Sequence, residues 1–240
     1  MHRSFWPTAW PLLLVACAAG AQDGGDDGQG TSGKAAFGYL ATSGNTESTN
    51  VNAAFSLAHQ LARWGHEYVL SAVSASSAGE TTAEAYRAAY EARRSFGEHA
   101  YMFMALDWKA DRFSGYAEQI SETLGYGRRL VDGERHSLDA GIGAGLRQAE
   151  LRDGLEEEDE ILRGSLTYLW TMSETTELEQ RIVAESGSSN TSVDAVTSVR
   201  ARLIGDVSLV VSYRIRSNSD VPPGAVDTDR FSSVSLEYAF

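Results

Sequence analysis

The side chains able to do chemistry are few and poorly arranged for it. Beyond the first 21 residues the histidines are His59, His66, His99 and His136. Each lies at or beside a short turn signal such as Ala62-Arg63-Trp64-Gly65 or Val131-Asp132-Gly133-Glu134. No G-x-S-x-G elbow and no H-E-x-x-H pair occurs, and no two histidines have metal-ligand spacing. The single cysteine, Cys17, excludes a disulfide framework and a Cys-based zinc cage. Asp23, Asp26 and Asp27 match no calcium loop. Gly125-Tyr126-Gly127 and Gly141-Ile142-Gly143-Ala144-Gly145 lack the strand-turn-helix setting of a phosphate loop. Glycine at alternate strand positions instead admits a bend or the close packing of a neighbouring side chain. The sequence therefore assigns no catalytic residue, no metal and no cofactor.

The charged residues are more telling as a set. The 240 residues carry 20 Lys+Arg against 33 Asp+Glu, a formal charge of −13. That balance gives no footprint for nucleic acid, which calls for clustered basic charge. A hydrophobic content of 42% is too high for a disordered chain. Of the basic residues only Lys34 and Lys109 are lysine. Arg is always charged and pairs with carboxylates in a planar fork.

The elements that carry these charges alternate with a period of two. Leu138, Ala140, Ile142, Ala144 and Leu146 interleave with Asp139, Gly141, Gly143, Gly145 and Arg147. Val207, Leu209, Val211, Tyr213 and Ile215 interleave with Ser208, Val210, Ser212, Arg214 and Arg216. Such alternation puts one set of side chains on each face of a strand. No segment keeps a 3.6-residue period to match. Beyond residue 21 the longest wholly apolar run, Ala100–Leu106, has seven residues, against the roughly 18 a membrane helix needs. Twelve strands are predicted between residues 34 and 240, about 17 residues each with its connection. Tight turns (62–65, 96–98, 131–134, 172–175, 204–206) alternate with longer polar loops (42–48, 76–82, 111–116, 151–160, 186–190, 217–228). The fold expected is all-β: an antiparallel up-and-down transmembrane β-barrel of about 12 strands. An even strand number puts both chain ends on the turn side, which would be the periplasm.

Ahead of the barrel, residues 1–21 read as a signal peptide for export, with small residues at Ala19 and Ala21 before the cut. Leu14-Val15-Ala16-Cys17 is a rival, lipidated cleavage site. Residues 22–33, rich in Gly and Asp, read as a flexible linker. The last strand ends Val234, Leu236, Tyr238, Phe240 on one face, an aromatic-ended pattern of the kind read by the bacterial barrel-insertion machinery.

The apolar phase of the strands ends in rings, Trp108, Tyr126, Trp170 and Tyr213, as suits a membrane interface. The polar phase is predicted to form a lumen charge network, drawn from Arg163, Arg181, Arg200, Arg202, Arg214, Glu179 and Glu237 together with Arg87, Arg147, Arg216 and Glu185. One strand misfits: Glu122 shares a phase with Ile120, Leu124 and Tyr126, so it faces lipid near mid-depth unless a bulge shifts the register.

From about Gly38 to Phe240 the chain resembles the salt-induced outer-membrane protein family of Gram-negative bacteria. The resemblance is carried by Thr42-Ser43-Gly44-Asn45-Thr46 within the first strand and loop, by Asp111-Arg112-Phe113, by Asp229, and by Leu236-Glu237-Tyr238-Ala239-Phe240. It implies an outer-membrane barrel, linked to salt or osmotic stress, with no catalytic residues. Gly44 and Asn45 suit a turn, since both tolerate positive φ, or a functional loop; Asp111, Arg112 and Asp229 are further candidates. The partners expected are outer-membrane lipid and the insertion machinery. The function expected is structural or that of a narrow pore. The alternative is a soluble or lipid-anchored periplasmic barrel that binds an apolar ligand. A lipid hydrolase is the weakest reading, for want of a competent Ser/His pair.

Overall fold

A computed structural model describes residues 30–42, 47–113, 116–152, 154–221 and 226–240. The leader, most of the linker, and Gly44 and Asn45 lie outside the described residues. Twelve strands follow in order: β1 (Gly30–Thr42), β2 (Ser48–Leu61), β3 (Trp64–Ser77), β4 (Glu80–Phe96), β5 (Ala100–Asp111), β6 (Tyr116–Asp132), β7 (His136–Leu151), β8 (Glu156–Thr171), β9 (Thr176–Ser186), β10 (Thr191–Ile204), β11 (Val207–Asn218) and β12 (Thr228–Ala239). Each pairs antiparallel with its neighbours in sequence, and β1 pairs with β12, so the sheet closes on itself. Closure leaves no edge strand to template aggregation.

The closing seam is short. β1 meets β12 through four register pairs, Lys34↔Ala239 to Phe37↔Leu236, against thirteen between β1 and β2. Mutual backbone hydrogen bonds between Gly33 and Phe240, at 2.7 and 2.9 Å, extend it. A Cβ on Gly33 would overlap the Phe240 ring. The strand thus takes in Gly30–Gly33, the end of the segment read as linker, because Gly33 leaves room for that ring.

The side chains divide by parity as the sequence requires. Leu70, Met102, Met104, Leu124, Ile142, Leu162, Val211, Val234 and Leu236 are exposed on the outside. Asp107, Ser121, Arg147, Arg163, Glu185, Ser208 and Glu237 are buried inside. A soluble protein rarely exposes so large a contiguous apolar wall. Rings gird it: Tyr86, Trp108 and Tyr213 toward the loop end; Trp64, Tyr68, Tyr126 and Tyr238 toward the turn end.

The two ends differ less in loop length than expected. The connection read as a loop at 76–82 is a two-residue turn, Ala78-Gly79, with φ of 51° and 82°. Positive φ at both positions matches the right-handed twist of a hairpin, so the strands run on to the turn. Likewise Glu156–Glu160, read as loop, is the first part of β8. The polar residues at this end extend strands rather than lengthen loops. A register shift between Tyr116 and Glu118 turns Tyr116 inward, but it leaves Glu122 facing out. Glu122 is level with Leu146 and, through it, with Glu160. It therefore belongs to the lower margin of the acidic wall of β6–β8, which begins at Glu118, Glu150 and Glu156.

Candidate functional site

The interior gathers the buried ion pairs of the described residues, and its two halves differ. In the β4–β9 half the wall is cross-linked. Arg87 of β4 grips Asp107 of β5 as a fork, Nε to Oδ1 at 3.0 Å and Nη2 to Oδ2 at 2.7 Å, and Lys109 Nζ lies 3.8 Å from the same carboxylate. Arg163 of β8 reaches Glu185 of β9 at 2.5 Å. The second oxygen of Glu185 accepts from Ser121 of β6 at 3.3 Å, across two intervening strands. Burial makes such a charge pair costly to break one partner at a time, since the remaining charge is left without its counter-ion.

Beside these pairs the inner wall is almost bare. Gly125, Gly127, Gly141, Gly143 and Gly145 face inward on β6 and β7. A Cβ on Gly125 would strike the Phe103 ring, and one on Gly127 the Tyr101 ring. Gly125, Gly127 and Gly141 thus make room for two rings from β5, while Gly143 and Gly145 allow the backbone of β6 to approach closely, the close packing that alternate glycines allow.

The mouth on this side is closed by the β9–β10 loop. Arg147 Nη2 donates to Asp159 at 2.6 Å and to the Asn190 carbonyl at 2.8 Å. Asp159 also accepts from Ser188 Oγ at 2.6 Å, from the Ser189 amide at 3.1 Å and from the Ser189 hydroxyl. Asn190 Oδ1 accepts from the amides of Ser219 and Asp220, and its Nδ2 donates to Asn218.

The other half, formed by β1–β3 and β10–β12, is lined by small polar residues. A cavity of about 500 Å³ opens at the loop end, walled by Asn50, Asn52, Ser71, Ser212, Arg214 and Phe231 among others. A second, of about 480 Å³, shares Asn52, Ala54, Ser212 and Ser233 with the first and continues past Ser56, Ser198 and Ser235. A third, of about 230 Å³, shares Ser32, Ala58 and Glu67 with the second and ends at His59, Gln60 and Gly65, at the turn end. The three abut in file from one end of the barrel to the other.

Much of the charge along this file is paired. Arg200 forks onto Glu237 across β11, at 2.7 and 3.3 Å, and reaches Glu177 at 3.3 Å. Arg181 pairs with Glu179 at 3.3 Å and Arg214 with Asp194. Arg216 of β11 meets Asp111, the last residue of β5, at 3.0 Å. Asp111 also accepts from the Phe113 amide, and Asp229 stands opposite Arg216 in the β11–β12 ladder. Two segments singled out from sequence, Asp111-Arg112-Phe113 and Asp229, thus converge on Arg216 at the loop-end mouth. Arg112 instead pairs outside the mouth with Glu84, at 3.1 Å.

Among the predicted network residues, Arg163, Arg181, Arg200, Arg214, Glu179 and Glu237 face the lumen in ion pairs. Arg202 is exposed and, among the described residues, stands apart from these pairs. Sequence reasoning missed Asp107, Asp159, Asp194 and Asn190. Asp is depleted from strands, yet the parity of Asp107 and Asp194 marked them as inward. Two of the histidines sit in aromatic clusters: His66 bonds Tyr90 at 2.9 Å and His136 bonds Tyr168 at 2.8 Å, each stacked beside a tryptophan.

A closed twelve-strand antiparallel barrel, apolar outside and charged within, defines the chain as a β-barrel of the outer-membrane type. The chain belongs to the family described as "Protein of unknown function, DUF481", which matches residues 35–240. It is 30% identical over 208 residues to the uncharacterized protein YdiY of Escherichia coli K12, covering 84% of this chain and 80% of that one. In fold it is similar to an outer-membrane channel from Pseudomonas putida F1, with a TM-score of 0.50 at 12% identity, over 91% of this chain and 99% of that one.

Proposed function

We propose that the chain is exported through its leader, inserts in the outer membrane with its turn end toward the periplasm, and acts as a narrow, off-axis pore for small hydrophilic solutes. The observation that carries this reading is the file of three abutting cavities along β1–β3 and β10–β12. The plugged β4–β9 half keeps the rest of the barrel shut, so passage is far narrower than the barrel's own width. Insertion is directed by Leu236, Tyr238 and Phe240, and no residue acts as a catalyst.

An apolar-ligand carrier would need the inverse polarity, an apolar lumen within a polar wall. The arrangement of Leu162 outside and Arg163 inside supports the membrane reading instead. A role under salt or osmotic stress follows from the family resemblance; a deletion strain that grows as well as its parent in raised salt would remove it. The pore is tested by conductance of the purified, folded barrel in planar bilayers. Small, discrete steps are expected, and a folded barrel that gives none overturns the pore while leaving the membrane placement intact.

A further inference from the structure

The outward-facing charges of β4–β8 divide by end. Toward the loops they are carboxylates: Glu84, Glu118, Glu122, Glu150, Glu156, Glu158 and Glu160. Toward the turns they are Arg94 and Arg128. Arg94 is exposed, and no carboxylate lies within ion-pair distance of it among the described residues. Its guanidinium lies 5.6 Å from the ring centroid of Trp64, its cross-strand partner, and 5.4 Å from that of Phe96. Arg63, also exposed and also outside every ion pair among the described residues, precedes Trp64 in the turn, where its carbonyl accepts from the Ser95 amide at 2.9 Å. Arg94 thus lies against an aromatic pair just beyond the apolar wall, Arg63 adjoins that pair in the turn, and among the described residues neither is ion-paired.

A related His-Tyr-Trp cluster, preceded by an arginine, lies four strands further round. Arg135 precedes His136, and its carbonyl accepts from the Thr171 amide at 2.8 Å. His136 bonds Tyr168 and stacks on Trp170 at 5.8 Å, as His66 bonds Tyr90 and stacks on Trp64 at 6.2 Å. In each, the tyrosine lies two residues from the histidine's cross-strand partner. A guanidinium beside aromatic rings at a membrane interface matches a phosphodiester, which it can grip as a fork while the rings lie against the acyl boundary.

We propose that Arg63 and Arg94, with Trp64 and Phe96, bind the phosphate of a phospholipid in the leaflet that meets the turn end. The inference presupposes the membrane placement proposed above but not the pore. The site would fix the depth of the barrel and favour one orientation, because the acidic loop end repels the same headgroup.

The test is native mass spectrometry of the full chain released from detergent in the presence of phosphatidylglycerol. The unaltered protein is expected to retain the lipid, and R63Q/R94Q to hold it about tenfold more weakly, since a charge-assisted pair is lost. E84Q, a change at the other end, should retain it as the parent does. Equal retention by R63Q/R94Q in its folded form overturns the proposal. The unaltered chain decides by itself if that variant does not fold. Diacylglycerol of the same acyl chains, which lacks the phosphate, should not be retained, and its equal retention overturns the site. Displacement of the lipid by excess inorganic phosphate overturns the lipid as occupant.

Discussion

Asp111 and Arg216 lie on strands six apart in either direction round a twelve-strand barrel, yet their side chains meet at 3.0 Å. No other pair of the described ion pairs spans the full width of the lumen. The contact is a crossbar at the loop-end mouth, braced by the Phe113 amide on Asp111 and by Asp229 opposite Arg216. Its removal should widen the entrance to the cavity below. R216Q is expected to raise single-channel conductance in planar bilayers, and D111N to do the same. Unchanged conductance in both would mean that the constriction lies deeper in the file.

The middle of the file is testable by filling it. Ser212 lines both of the larger cavities. S212W should abolish conductance while the barrel keeps its heat-modifiable migration on detergent gels. A barrel that folds and still conducts would place the permeation path elsewhere.

Arg163 and Glu185 form the most buried pair at mid-barrel, their side chains 8% and 2% exposed. Removing one partner leaves the other charge without its counter-ion in the packed half of the lumen. R163A is expected to cost about 3–5 kcal/mol of stability, read as a lowered urea midpoint for the folded barrel in micelles. Replacing both residues with apolar ones of similar volume should cost much less.

The glycine track makes a prediction about packing alone. G127L would place a side chain where the Tyr101 ring now lies, and overpacking of this kind costs about 1–3 kcal/mol. Because the clash is with one ring, Y101G in the same chain should recover much of the loss. Additive costs in that double-mutant cycle would show that the two positions do not share the space.

The closing seam depends on Phe240, whose ring occupies the space over Gly33. With four register pairs between β1 and β12, the seam has little else to hold it. F240A should lower the yield of folded, heat-modifiable barrel, and G33V should do the same by expelling the ring. Normal yields in both would show that the four pairs suffice.

Much of this was legible in the residues. Parity along Leu138–Arg147 or Val207–Arg216 is local, because each side chain's face follows from its place in the strand. Strand number, the identity of the apolar and charged faces, and the aromatic rims therefore follow from the sequence by itself. The pairing of Arg with acid on neighbouring strands is nearly as local, as Arg87–Asp107 and Arg214–Asp194 illustrate. Turn chemistry was less clear: Ala78-Gly79 carries no strong signal, since alanine rarely adopts a positive φ, and only the strands it joins force it to.

Only the tertiary structure decided what lies across from what. Asp111 and Arg216 are 105 residues apart, and nothing in either neighbourhood specifies the other. Their meeting depends on closure, stagger and the diameter that twelve strands impose. The same holds for Ser121 with Glu185, for the loop that Asp159 and Arg147 draw inward, and for the division into a plugged half and an open one. The sequence set each side chain's face; closure of the sheet chose its partner, because parity is a property of one strand and opposition is a property of the whole barrel.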